Sequence, residues 1–63
     1  MPSADRLLTL AAVCQATSLG KSSVYATMAH DATFPRPVKI GARSRWSEAR
    51  LLAWIEQKVA AAA

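Results

Sequence analysis

Two prolines separated by one residue, Pro35 and Pro37, constrain this chain more than any other feature. Neither can donate a backbone hydrogen bond, and each pushes its predecessor, Phe34 or Arg36, toward extended geometry, so no helix crosses this point. Helices that begin earlier must end by about His30, and the chain after the prolines restarts as strand or turn. With 63 residues in all, this leaves one small domain near the lower limit for a core without cross-links. The single cysteine, Cys14, cannot form an internal disulfide, and one histidine is too few for a structural zinc site.

Before the prolines, Leu10, Val13 and Cys14 recur at helical spacing after Thr9, whose hydroxyl can accept from an unpaired amide of the first turn. The spacing predicts a first helix over Leu10 to about Ala16, with Arg6 to Thr9 as an extended lead-in. Thr17, Ser18, Leu19 and Gly20 read as a tight turn with Leu19 plugging the corner. A second helix follows from Lys21 to His30, with Val24 and Met28 four apart on one face and Tyr25 and Ala29 beside them. Two short helices joined by a turn of about four residues make the sequence pattern of a helix-turn-helix.

After the prolines, Val38, Lys39 and Ile40 precede a turn around Gly41, Ala42 and Arg43, and Ser44, Arg45 and Trp46 follow. Apolar and basic residues alternating about a glycine-containing turn predict a β-hairpin. Val38, Ile40 and Trp46 are expected to face the core, with Lys39 and Arg45 outside and Arg43 at the tip. Ser47 suits an N-cap, Glu48 the positive end of a helix dipole, and a third helix is expected from about Glu48 to Ala60. Its apolar stripe is Leu51, Trp54, Ile55 and Val59. The expected fold is mainly α with a small β-hairpin, a winged helix-turn-helix of three helices plus wing. The domain is expected to span residues 6–60, with a flexible N-terminus over 1–5 and a frayed C-terminus over 61–63.

Charge narrows the partners. Eight Lys and Arg against four Asp and Glu give a net +4 on a very small surface, which favours polyanions. From Arg36 to Arg45, four of ten residues are basic and none is acidic. No apolar run is long enough to span a bilayer, and the N-terminus lacks a secretory pattern, so a cytoplasmic location is expected. The four acids show no pairing suited to general acid and base work, and no nucleophile has a base beside it, so neither catalysis nor a cofactor is expected.

The candidate partner is double-stranded DNA. A helix that follows a turn can enter the major groove, where residues near its N-terminus reach base edges and phosphates. The candidates on the second helix are Lys21, Ser22, Ser23, Ala26, Thr27 and His30. Lys21 and the first-turn amides suit a phosphate, the serines suit phosphate or base, and Ala26 suits a thymine methyl group. His30 fits either the negative end of its helix dipole or a phosphate. In the hairpin the candidates are Arg36, Lys39, Arg43, Ser44 and Arg45. Cys14, on the apolar face of the first helix, reads as a small buried hydrophobe, and Tyr25, Trp46 and Trp54 read as core residues rather than base-stacking platforms.

The residues also carry a resemblance. Leu7 and Leu8, Gly20 to Tyr25, the run Thr33, Phe34, Pro35, Arg36, Pro37, Val38, Lys39, Ile40, Gly41, then Arg45, Trp46 and Ala53, Trp54, Ile55 together resemble the AlpA family of phage and prophage regulators. The likeness covers roughly residues 6 to 57. It implies a winged helix-turn-helix related to excisionases and to the DNA-binding domain of MerR regulators, acting on transcription or prophage excision. Family members often carry serine or threonine at the positions of Ser22 and Ser23 and a tyrosine at Tyr25. They often have arginine where this chain has Ala26, and usually serine or threonine where it has Gly20. The coiled coil and effector domain that MerR regulators add are not in this sequence, so no small-molecule effector is expected. Further copies of the chain on one DNA are an expected partner. A protein-interaction adaptor or anti-repressor is the alternative use of such a fold.

Overall fold

The computed structural model describes residues 5–62. Its elements are β1 (Leu7–Leu8), α1 (Leu10–Thr17), α2 (Lys21–His30), β2 (Val38–Ile40), β3 (Arg43–Ser47) and α3 (Glu48–Ala62). Three helices and a small antiparallel sheet make a mainly α chain whose element order is compatible with a winged helix-turn-helix.

The lead-in does more than approach α1. It is the third strand of the sheet, in the order β1-β3-β2, with Leu7 opposite Ser47 and Leu8 opposite Trp46. Thr9 then turns the chain into α1 from an extended backbone, and its hydroxyl accepts the Ala12 amide at 3.2 Å, the cap expected from sequence. At the other end of α1, the Thr17 hydroxyl donates to the Val13 carbonyl at 2.8 Å. Ser18 next takes left-handed geometry, φ 60 and ψ 25, which reverses the chain. Gly20, the residue free to do so, stays extended at φ −78.

α3 begins directly from β3. Ser47 Oγ accepts the Arg50 amide at 3.2 Å, again the expected cap. Of the segment expected to be loose, residues 1–4 lie outside the described residues. Asp5 is bonded at the start of α3, accepting the Ser47 hydroxyl at 2.7 Å and the Ala49 amide at 3.0 Å. Those bonds, the Ala49 amide first and the Ser47 hydroxyl next, hold its carboxyl below the usual carboxylate range. Arg6 adds an ion pair with Glu48 at 3.2 Å, and its carbonyl accepts the Glu48 amide at 2.8 Å. Of the expected frayed end, Ala61 and Ala62 continue α3 and residue 63 lies outside the described residues.

The core draws on every helix and both long-range strands: Leu8, Val13, Val24, Met28, Phe34, Trp46 and Leu51 are buried. Leu10, Cys14, Leu19, Trp54 and Ile55 pack around it, as the helical spacings and the corner residue implied, and Ala12 joins them. Burying a side chain such as Leu51 or Phe34 stabilises by about 1.5–3 kcal/mol, so a handful of residues carries most of what holds so small a domain.

Four assignments of apolar residues to the core are corrected. Tyr25 is 51% exposed, and Val59 is 65% exposed on α3 beyond the last packed turn. Val38 and Ile40 are 46% and 54% exposed. The reason for the last two is the length of the turn. The sequence reading placed Arg43 in the loop, which would set Ile40 opposite Ser44 and Val38 opposite Trp46, on one face. The loop is only Gly41 and Ala42, so Ile40 faces Arg43 and Val38 faces Arg45. One residue of register moves every side chain of a strand to the other face. Gly41 has φ 62, the sign required at the first loop position of the tight hairpin turn that suits strand twist.

Candidate nucleic-acid interface

α2 presents its outer face by simple geometry. At 100° per residue, Val24 and Met28, which are buried, define the inner side. The side opposite them is centred on Ala26, with Ser22, His30 and Ser23 flanking it. All four are exposed. Lys21, also exposed, stands at the N-terminal end, where no acidic residue occupies the first turn. That end carries unpaired amides and the positive pole of the helix dipole. Thr27 is half-buried, and its hydroxyl donates to the Ser23 carbonyl at 2.8 Å, so its proton is spent within the helix. Tyr25 lies at the edge of the outer face.

The segment between α2 and the hairpin is fixed by one residue, Asp31. Asp31 gives its amide to Thr27 O at 2.8 Å, and its carbonyl accepts the Phe34 amide at 3.1 Å. Its carboxylate accepts the Thr33 amide at 2.9 Å and the Thr33 hydroxyl, the Trp54 indole N–H at 3.3 Å, and an ion pair from Lys58 at 2.9 Å. Thr33, first through its hydroxyl, then Lys58, hold the Asp31 carboxyl well below the usual carboxylate range, against a smaller opposing effect of desolvation. The signal available in the sequence was the Asp-x-Thr spacing, which makes an Asx turn. The partners on α3, 23 residues away in the case of Trp54, left no local trace.

This latch seats the proline segment. Phe34 is 1% exposed and meets Trp54 edge to face, centroids 4.8 Å apart at 71°, while Lys58 Nζ lies 5.6 Å from the Trp54 ring centroid. With Phe34 and Pro35 buried, Arg36 emerges exposed at the base of the hairpin. A shallow groove of about 730 Å³ between this segment and α3 has Arg36, Arg50 and Glu56 among its lining residues.

Within the hairpin, residues directly opposite share a face. Arg43 and Arg45 lie on one side with Ile40 and Val38, whereas Lys39 and Ser44 lie on the other, the side of Trp46 and Leu8. Lys39 and Arg45, expected together on the outer face, are therefore on opposite faces. Arg43 and Lys39 are exposed, and Ser44 and Arg45 half-buried, with one Arg45 guanidinium N–H donating to the Ser44 carbonyl at 2.8 Å. Among the described residues, Lys21, Arg36, Lys39, Arg43 and Arg45 make no ion pair; the two that form, Arg6–Glu48 and Lys58–Asp31, both end on α3.

Among the described residues no group of three or more His, Cys, Asp or Glu could hold a metal ion, and no helix is long and apolar enough to cross a membrane. A search of the curated proteins and a search of the solved structures each returned no match. The model of one family, described as the prophage CP4-57 regulatory protein (AlpA), matches residues 6–59. That span runs from the residue before β1 to the exposed turns of α3 and includes both candidate surfaces, and the chain belongs to the AlpA family of prophage regulatory proteins.

Proposed function

We propose that this protein is a sequence-specific double-stranded DNA-binding regulator. It acts on transcription or as an excisionase-type factor of a prophage or mobile element. In this reading α2 enters the major groove, and the hairpin serves as a wing on the adjacent backbone or minor groove. Lys21 and the α2 amides hold a phosphate, Ser22, Ser23 and Ala26 meet base edges, and Thr27 and His30 support the far end of the contact. Arg36, Lys39, Arg43, Ser44 and Arg45 serve the wing. The observation that carries the reading is the set of five cations from Lys21 to Arg45 that make no ion pair among the described residues, on a member of a regulatory family.

Five phosphate contacts give a salt slope of roughly −4 to −5 on duplex DNA. A single module of this kind buries only about 600–1,000 Å² of protein surface, so tight operators carry two or more copies. The test is a gel shift against a library of duplexes at several salt concentrations. Salt-sensitive binding with a sequence preference supports the reading. Absence of binding at low micromolar protein, together with a stoichiometric protein partner in a pull-down, would replace it with an adaptor role.

A further inference from the structure

The register of the hairpin creates a surface that the alternation of its sequence hides. On one face, Val38 stands beside Arg45 and Ile40 beside Arg43, so two rungs each pair a β-branched apolar side chain with an arginine. Opposed Cβ atoms on such rungs are about 4.5–5.5 Å apart. Val38 and Ile40 are about half exposed, and β2 is an edge strand with no further neighbour in the sheet. Strand edges of this kind are commonly protected by charge. Here the charge comes from the neighbouring strand, and the apolar residues remain open.

We infer that this face is the groove-contacting side of the wing. Val38 and Ile40 pack against the deoxyribose and base edges of a DNA groove while Arg43 and Arg45 hold the phosphates of its walls. The inference rests on the DNA-binding reading and adds to it which face of the hairpin engages and two apolar contact residues. Charge selects the occupant. The segment from Arg36 to Arg45 has four cations and no acid, so a second copy docked face to face across a twofold axis would bring four arginines together with nothing to neutralise them. A duplex groove offers anionic walls with apolar sugar between, and groove binders combine basic residues with apolar ones in this way. Lys39 and Ser44, on the opposite face, contribute less than Arg43 and Arg45.

The two kinds of contact differ in salt dependence. An arginine on a phosphate releases counterions, whereas an apolar contact releases none. A duplex enriched by the wild-type protein from a random library is titrated at several salt concentrations with wild type, with Val38→Thr/Ile40→Thr, with Arg43→Ala and with Lys39→Ala. Threonine keeps the β-branched shape, and both sites lie outside the core, so the melting curve stays near wild type. Should the double variant melt lower, Ile40→Thr alone carries the test.

The threonine variant is expected to bind about five- to fifty-fold more weakly with an unchanged salt slope. Arg43→Ala lowers the magnitude of the slope by about 0.9, and Lys39→Ala changes affinity and slope less than Arg43→Ala does. A threonine variant that binds within about twofold of wild type overturns the inference while the wild-type binding preserves the DNA-binding reading. A wild-type dimer in sedimentation that the threonine variant abolishes also overturns it, assigning the face to a second copy. If wild type shows no salt-sensitive duplex binding, the functional reading itself fails and this inference with it.

Discussion

The residues around α3 and those of α2 and the hairpin treat charge in opposite ways. Around α3, Arg6 pairs with Glu48, Lys58 with Asp31, and Asp5 accepts from Ser47 and Ala49. On α2 and the hairpin, none of Lys21, Arg36, Lys39, Arg43 and Arg45 has an acidic partner among the described residues. Three of the four acids are thus used to join the chain's beginning and middle to its last helix. A protein that needed all its charges for folding would distribute its acids among its cations. This one uses three of them to hold elements to α3, and leaves the cations of α2 and the hairpin without acidic partners among the described residues.

The largest expected effect tests whether the residues around α3 are the structural ones. Leu51 is fully buried where α3 packs on the core, and Leu51→Ala should cost about 2–5 kcal/mol. For a domain of this size that is much of the total stability, and the variant should be largely unfolded by circular dichroism at 37 °C. Arg43→Ala/Arg45→Ala should leave the melting temperature unchanged or raised, since like charges are removed. Its duplex binding should fall for all sequences, with the salt slope reduced by up to about 1.8. Ser22→Ala or Ser23→Ala, in contrast, should alter sequence preference more than slope. A hairpin variant that melts early, or equal effects from both sets, would break the division of labour drawn between α3, the hairpin and α2.

What the sequence allowed to be read was whatever is decided locally. Thr9 and Ser47 cap the helices they precede, Val24 and Met28 point inward four residues apart, and Phe34-Pro35 ends the helical half. Each depends on neighbours within one helical turn. The hairpin faces were misassigned because register depends on whether the loop holds two residues or three, and Gly41-Ala42-Arg43 is compatible with either until the strands pair. The contacts of Asp5 and Asp31 were not legible because their partners Ala49, Trp54 and Lys58 are distant in the chain. The helix-turn-helix order was legible early. Which hairpin residues share a face was not.

An intermediate effect sharpens the same comparison through pH. The carboxyl of Asp31 is held below its unfolded value, which is about 3.9. A depressed value means that its contribution is fully present above the unfolded pKa and is lost as pH falls through the folded one. Melting temperature should therefore decline as pH drops below about 4. Asp31→Asn, which keeps the side-chain shape but loses the Lys58 pair, should melt lower than wild type at pH 7 and show a shallower decline in acid. Thermal melts between neutral pH and pH 2 check this. Parallel curves would mean that the latch between the proline segment and α3 owes nothing to charge.

The smallest effect concerns the turn that sets α2 against α1, where the residues stand in places that suit them poorly. Ser18 is the non-glycine residue with positive φ among those described, and left-handed geometry costs an L-residue about 1–2 kcal/mol. Gly20 caps α2 from φ −78 and ψ 170, where any residue fits, offers no side-chain cap, and has open space at its absent Cβ. Gly20→Ser should stabilise by about 0.5–1 kcal/mol, through a cap to a first-turn amide and a less flexible unfolded chain. Ser18→Gly should give a smaller gain, because relief of the left-handed strain is partly offset by added freedom in the unfolded chain. Denaturant melts of the two variants and their combination measure this. If Gly20→Ser also weakens duplex binding, the glycine serves close approach of the α2 N-terminus to a phosphate rather than folding, and the turn belongs with the DNA-binding residues of the proposed function.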